Sequence, residues 1–378
     1  MGLLVVIDRA QEIDDETFDG LIAAEAAALS VDHRIVRCAG GGFSQYLQGR
    51  PSATVVVPPD RVEVATVLEP DVDGRADPGQ VLVRFDLHDR ERDTSPQLSA
   101  HLRGIGLGGI TWAVRAAVHA ARHPADTLRY GQDPDQFGQL RWPAGHGPAT
   151  ALGVLIHGGY WRSRWQLDLM DAVAIDLAER GIVSVNLEYR RPDRHSWQAT
   201  LEDVRAGVQR AVGAVVGTDG QAPPIVLIGH SAGGQLALQI AEERAASNQP
   251  VAAVVSLAGV VDLHAADERE LSDGAVRLAL GGRPDELPEW YREASPLACT
   301  QRRVPTVVAF GAQDDPDLVE MNRRFARAAQ GAPVDVIDLP GDHFAVIDPT
   351  SQLWQATVDT LLTRVDRAGE RFSHPVRD

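Results

Sequence analysis

Apolar positions along the chain fall into short β-rich runs that alternate with longer helical stripes, in two series separated by a polar stretch. In the first series, residues 3–7, 34–38, 53–57 and 81–87 read as strands, and residues 17–29 and 109–122 read as helices. That alternation predicts a small parallel α/β sheet. The second series is longer. Residues 151–157, 182–189, 224–229, 251–257, 305–310 and 334–339 read as strands, with helical patterns between them. One of these patterns is Met170, Val173, Ala174, Leu177 and Ala178, whose spacing puts five apolar side chains on one helix face. The two series are divided by residues 125–150, rich in Pro, Gly, Gln and Asp. The expected organisation is therefore two α/β domains, residues 1–124 and 125–370. Residues 263–297 are polar on the whole and read as an insertion or lid, and residues 371–378 read as a frayed tail.

Composition narrows the functional classes. A chain of 378 residues that is 44% hydrophobic can bury a core in each domain. The formal charge of −17 repels phosphate backbones and anionic membrane surfaces, so neither nucleic acid nor membrane is expected as a partner. No apolar window is long enough to span a bilayer. Residues 1–10 lack the basic start and cleavage site of a signal peptide, which predicts a cytoplasmic protein. Cys38 and Cys299 lie in different expected domains, with no CxxC and no flanking cluster of histidines and carboxylates. Both are expected to be buried free thiols, and no metal site or cofactor is predicted.

The candidate chemistry lies in the second domain. After the strand at 224–229 comes Gly229-His230-Ser231-Ala232-Gly233 and then a helix-forming run, which is the strand–turn–helix setting of a nucleophile elbow. A serine hydroxyl is a weak nucleophile at neutral pH and needs a base, which in turn needs an orienting carboxylate. Both are available downstream. The strand at 305–310 runs into Gly311-Ala312-Gln313-Asp314-Asp315-Pro316, and the strand at 334–339 into Pro340-Gly341-Asp342-His343-Phe344. Both turns fall at the carboxyl edge of the sheet, where open α/β folds build their sites. Asp314 is the preferred acid because Asp315 precedes a proline that biases it toward extended backbone. Asp317 and Glu320 read as a capping box for the following helix. His157-Gly158-Gly159-Tyr160-Trp161 closes another strand and can supply the backbone NH groups of Gly159 and Tyr160, with that of Ala232, as an oxyanion hole. His157 and His230 read as turn and packing residues.

At these motifs the second domain, over residues 126–365, resembles the kynurenine formamidase branch of the α/β-hydrolases. The carriers are HGGYW at 157–161, GHSAGG at 229–234, the 311–316 turn, GDHF at 341–344 and the entry Tyr130-Gly131-Gln132-Asp133-Pro134. The resemblance implies a triad of Ser231, Asp314 and His343 and metal-free hydrolysis of an N-formyl aryl amide or an ester of a small molecule. Tyr160, Trp161, Trp290 and Tyr291 are the candidate substrate-binding aromatics. The first domain, from Gly104-Ile105-Gly106-Leu107-Gly108-Gly109 running into Trp112-Ala113-Val114-Arg115, resembles a type II 3-dehydroquinate dehydratase, a flavodoxin-like fold. It departs from that family where the chemistry lies. The long loop after the first strand is missing, and Val57, Glu63 and Arg84 stand at three of the family's polar positions. This domain is therefore expected to be non-catalytic and to support a homo-oligomer. Gly104, Gly106 and Gly109 also match GxGxxG, but with no strand expected directly before them dinucleotide binding is not predicted. The competing functional readings are a hydrolase of a lactone or amide in a specialised pathway, and a non-catalytic receptor that uses the hydrolase pocket.

Overall fold

The computed structural model describes residues 1–39, 43–47, 49–59, 80–95, 97–143, 149–216, 222–249, 251–299, 301–331 and 333–373. It divides into two compact units, Met1–Ala125 and Asp126–Asp378.

The first unit runs β1 (Gly2–Asp8), α1 (Asp15–Ala28), β2 (Asp32–Cys38), α2 (Ser44–Leu47), β3 (Ala53–Val57), β4 (Val81–Asp86), β5 (Ala100–Arg103) and α3 (Gly109–Arg122). Among the described residues its strands form one parallel sheet in the order β2-β1-β3-β4-β5, which is flavodoxin-like. Successive side chains of a strand point to opposite faces. Leu3, Val5 and Ile7 accordingly pack with Phe18 and Ile22 of α1 and Val114 of α3, whereas Leu4 and Val6 pack with Phe43 and Leu47. Both faces are covered, which is why β1 is buried from Leu3 to Asp8 and β3 along its whole length.

Strand β5 directly precedes Gly104, where none was expected. Only Leu102 in it is a large aliphatic residue; His101 and Arg103 are buried by polar pairing instead. His101 Nδ1 accepts from the Asp93 NH at 2.8 Å, so Nε2 carries the hydrogen and donates to Asp86 at 2.7 Å. Asp86 also accepts from Arg84 at 2.8 Å, and Arg103 donates to the Arg90 carbonyl at 2.8 Å. Buried polar groups persist when they are paired, and these partners come from neighbouring segments that an apolar pattern does not reveal. Glu63 lies outside the described residues.

The second unit opens with an antiparallel hairpin, β6 (Asp126–Arg129) and β7 (Phe137–Arg141), inside the stretch read as a polar divider. It continues through β8 (Ala151–Ile156), α4 (Asp171–Glu179), β9 (Ile182–Leu187), α5 (Trp197–Val215), β10 (Ile225–His230), α6 (Ala232–Ala246) and β11 (Ala253–Leu257). Next come α7 (Leu263–Glu268), α8 (Leu271–Leu280) and α9 (Pro288–Ala294), then β12 (Gln301–Arg302), β13 (Thr306–Gly311), α10 (Pro316–Ala328), β14 (Gln330–Gly331), β15 (Val334–Leu339) and α11 (Gln352–Ser373). The described strands form an eight-stranded sheet, β15-β13-β11-β10-β8-β9-β7-β6, parallel apart from the β6–β7 end, with β12 and β14 paired separately. This is the α/β-hydrolase arrangement.

Every residue of β8, β9 and β10 is buried, as central parallel strands require. Helices α4 and α11 are tied by Trp354 Nε1 donating to Asp176 at 2.7 Å, and α5 and α6 by Arg205 and Glu243 at 2.8 Å. The segment read as a polar insertion buries Leu263, Ala266, Val276, Leu280 and Tyr291 across its three helices. Helix α11 extends through residues 371–373, which were expected to fray, and residues 374–378 lie outside the described part. Cys38 is buried and Cys299 only partly so, at a loop rather than in a core; both are free. Among the described residues no helix is long and apolar enough to cross a membrane, and no group of three or more His, Cys, Asp or Glu side chains could hold a metal.

Candidate active site

Ser231 stands between β10 and α6 with φ 53° and ψ −118°, a conformation L-residues enter only under local constraint. The constraint comes from its glycines. A Cβ on Gly229 would lie 2.0 Å from the Gly233 carbonyl oxygen, and one on Gly233 would lie 2.1 Å from that of Ile156. The elbow is anchored by the Ser231 NH, which donates to Leu257 at 2.8 Å, and by its carbonyl, which accepts from Val260 at 3.1 Å. The serine is thereby held at the N-terminus of a 15-residue helix, whose partial positive charge favours an anion there.

The turns after β13 and β15 are stitched to each other. Ala312 NH donates to Leu339 at 2.8 Å and Gln313 NH to Gly341 at 2.9 Å. This brings Asp314 and His343 together, with His343 Nδ1 2.8 Å from Asp314 Oδ2. The other oxygen, Oδ1, accepts from the Asp315 NH at 2.6 Å, so both carboxylate oxygens are committed, and the side chain is 3% exposed. His343 Nδ1 being engaged, Nε2 is the nitrogen left to act on a hydroxyl. The His343 ring stands 4.7 Å from that of His230, the neighbour of Ser231. Asp315 caps α10 by accepting from Asp317 NH at 2.8 Å. Asp317 and Glu320 do not form the expected capping box; they pair with Arg269 at 2.6 and 3.0 Å, because the helix starts at Pro316, with Asp315 rather than Asp317 as its cap.

The glycine turn after β8 reaches the same place. Gly159, Tyr160 and Trp161 have φ of 109°, 50° and 55°, an unusual succession of left-handed residues. A Cβ on Gly158 would lie 2.9 Å from that of Ser231, and one on Gly159 would strike the Trp165 side chain at 2.4 Å. The turn is therefore held between the serine and Trp165. Beneath it lies a polar brace that sequence reasoning missed. Glu188, closed to water after β9, accepts from Leu167 NH at 3.0 Å and Tyr189 NH at 3.1 Å, takes a contact from Arg191, and has its Oε1 3.3 Å from His157 Nε2. Tyr189 donates its hydroxyl to the His157 carbonyl at 2.8 Å and stacks on the His157 ring at 4.4 Å. Burial, and then Arg191, push the His157 imidazole down to about 3. The available signal was Glu188 directly after the fully buried strand Ile182–Leu187, an acid placed where the sheet is still covered.

Of the four aromatics expected at a leaving-group pocket, Tyr160 is half-buried beside the site. Burial and then Asp315, Asp314 and Asp317 push its hydroxyl up to about 12. Trp290 is half-buried on α9. Trp161 and Tyr291 are 1% and 0% exposed, the first packed edge-on against Trp197 at 5.7 Å, the second donating to the Gly282 carbonyl at 3.1 Å. Side chains that water does not reach are packing, not the wall of an open pocket.

The sequence profile of the family described as BD-FAE matches residues 139–324. Esterase LipC of Mycobacterium tuberculosis (strain ATCC 25618 / H37Rv) is 30% identical over 288 residues, covering 69% of this chain and 69% of that protein. The chain belongs to this esterase's family within the α/β-hydrolases. It is a hydrolase. The kynurenine formamidase of Salmo salar is also similar, 23% identical over 275 residues, covering 68% of this chain and 89% of that one. Among solved structures, esterase B of Lactobacillus rhamnosis superposes with a TM-score of 0.55 at 18% identity, covering 69% of this chain and 94% of that one. Brefeldin A esterase superposes with a TM-score of 0.52 at 21% identity, covering 65% of this chain and 76% of that one. These structures agree in fold.

Proposed function

We propose that the enzyme is a serine hydrolase of small carboxylic esters or N-formyl aryl amides that works through an acyl-enzyme on Ser231. The observation that carries this reading is the 2.8 Å bond between Asp314 and His343 beside a nucleophile held in a strained elbow. Ser231 Oγ attacks the carbonyl carbon while His343 Nε2 takes its proton, and Asp314 holds the imidazole in the required tautomer. The NH groups of Gly159, Tyr160 and Ala232 receive the developing oxyanion. Collapse expels the alcohol or aryl amine, which takes the proton from His343, and water, deprotonated by the same histidine, then releases the acid and regenerates Ser231. For a formamide the acyl group is formyl and the acid is formate. Tyr160, half-buried and near Asp314, is read as the aromatic that meets the leaving group.

The formamide branch is supported by the two similar kynurenine formamidases, from Salmo salar and Danio rerio, and the ester branch by the higher identity to LipC. The discriminating experiment compares kcat/KM on N-formyl-L-kynurenine and on short-chain aryl esters for wild type and Ser231→Ala. Turnover of either substrate that vanishes in the variant supports the proposal and selects the branch; turnover that survives Ser231→Ala overturns it. The first unit is read as a non-catalytic assembly domain. Its support is that Arg84, at a position the dehydratase family uses for chemistry, is engaged with Asp86 and Asp93 at 2.8 and 2.7 Å. Light scattering of the whole chain and of a chain lacking this unit tests it: the same number of protomers per particle in both would end the assembly role.

A further inference from the structure

His230 lies between the nucleophile and the base, and the hydrolytic scheme gives it no part. It is 1% exposed. Its Nε2 is 3.1 Å from the backbone carbonyl of His343, and since a carbonyl only accepts, that nitrogen carries the hydrogen. Its other nitrogen, Nδ1, is buried without a partner, and a Cβ built on Gly158 would come within 3.0 Å of it, so the oxyanion turn closes over the ring. The ring also stands 6.0 Å from that of Phe344. Burial, with His343 close by, pushes the imidazole well below its ordinary range and keeps it uncharged.

We propose that His230 is a positioning residue, whose Nε2–H donated to the His343 carbonyl ties the base-bearing loop to the nucleophile elbow and so sets the separation of Ser231 and His343. This inference rests on the reading of Ser231 and His343 as nucleophile and base. The geometry gives the tie its value. Asp314 fixes the His343 ring on its Nδ1 side, and Asp342 shapes the loop from within by accepting from the Phe344 and Ala345 NH groups at 3.0 and 2.9 Å. Neither contact refers the loop to β10, whereas the His230 hydrogen bond does. The donor must also be neutral. A cation 4.7 Å from the His343 ring would oppose the imidazolium that forms there when the serine proton is taken.

A matched pair of variants tests this. His230→Gln and His230→Met have nearly the same volume and both lose the ring, but only glutamine retains an NH donor. On a short-chain p-nitrophenyl ester, His230→Met is expected to lower kcat by about 10- to 100-fold with KM within about twofold, as for a misplaced catalytic group. His230→Gln is expected to recover most of that loss. The rate at which a fluorophosphonate labels Ser231 should follow kcat in both. Equal kcat in the two variants, with wild type labelled at Ser231, overturns the positioning role alone. Failure of wild type to label at Ser231 overturns the triad reading and this inference with it. Melting temperatures measured alongside separate the donor from stability, since a purely structural histidine would lower both variants' melting points without the split in kcat.

Discussion

Replacing Gly229 by alanine puts the elbow's geometry to a quantitative test. The added methyl would lie 2.0 Å from the Gly233 oxygen, 2.4 Å from its carbonyl carbon and 2.6 Å from the Gly234 nitrogen. All three are backbone atoms, so no rotamer change makes room. Even a close C–H···O contact needs roughly 3.3 Å between the heavy atoms, so β10 and the first turn of α6 must separate by about 1.3 Å. Overpacking of that kind destabilises by about 1–3 kcal/mol, a loss that leaves a domain of ordinary stability folded. The same displacement moves Ser231 relative to His343 and the glycine turn, and a shift near 1 Å at a reacting group costs on the order of 100-fold in rate. The expected result is thus a folded protein with a modestly lower urea midpoint and a fluorophosphonate labelling rate about two orders of magnitude below wild type. A folded Gly229→Ala protein that labels Ser231 within about threefold of the wild-type rate would refute the argument that the close approach sets the nucleophile.

Three further outcomes follow from other parts of the molecule. Gly213 lies exposed inside α5 with nothing within 4 Å of an added Cβ, so Gly213→Ala should stabilise by about 0.5–1 kcal/mol, read as a higher urea midpoint with unchanged kcat. Tyr189→Phe removes the hydroxyl that donates to the His157 carbonyl and leaves a buried acceptor unmet. It should cost about 1–2 kcal/mol and lower kcat more than it raises KM; a change in KM alone would show that the brace does not act on the oxyanion turn. His101, His157 and His230 are each held below the ordinary imidazole range, in every case chiefly by burial. The unfolded chain takes up these protons near pH 6.5 and the folded chain only at lower pH, so their stabilising effect is complete above about pH 6.5 and is lost on acidification, by at most about 1.4 kcal/mol per pH unit per histidine. Urea midpoints that stay flat between about pH 7 and pH 5 would show that these histidines protonate in the native state.

The fold was legible wherever burial is apolar and regular. Residues 3–7 and 53–57 in the first unit, and 151–157 and 182–189 in the second, are runs that only a sheet covered on both faces accommodates. Strand β5 was not legible, because His101 and Arg103 are buried through Asp86 and the Arg90 carbonyl, partners supplied from outside the strand. The hairpin β6–β7 was missed for a related reason. Its strands are short and amphipathic, with Leu128 and Leu140 its buried aliphatic residues, inside a stretch whose Pro and Gly content signals turns. At the candidate site, the turns carrying Ser231, Asp314 and His343 could be placed because glycine and strand context mark where backbone approaches backbone. The brace of Glu188, Tyr189 and His157 could not, since its contacts join a strand end to a turn more than 30 residues earlier in the chain and follow no local period. Trp161 and Tyr291 show the limit from the other side: an aromatic beside a motif packs as readily as it binds, and only burial distinguishes the two.

The central claim is that Ser231 is a nucleophile activated by His343. It is tested most directly by treating the folded protein with a fluorophosphonate and locating the adduct by mass spectrometry of peptides, in wild type and in His343→Ala. The account predicts a single adduct on Ser231 in wild type and labelling slower by several orders of magnitude in the variant. No adduct on folded wild type, an adduct on another residue, or equal labelling without His343 would contradict it.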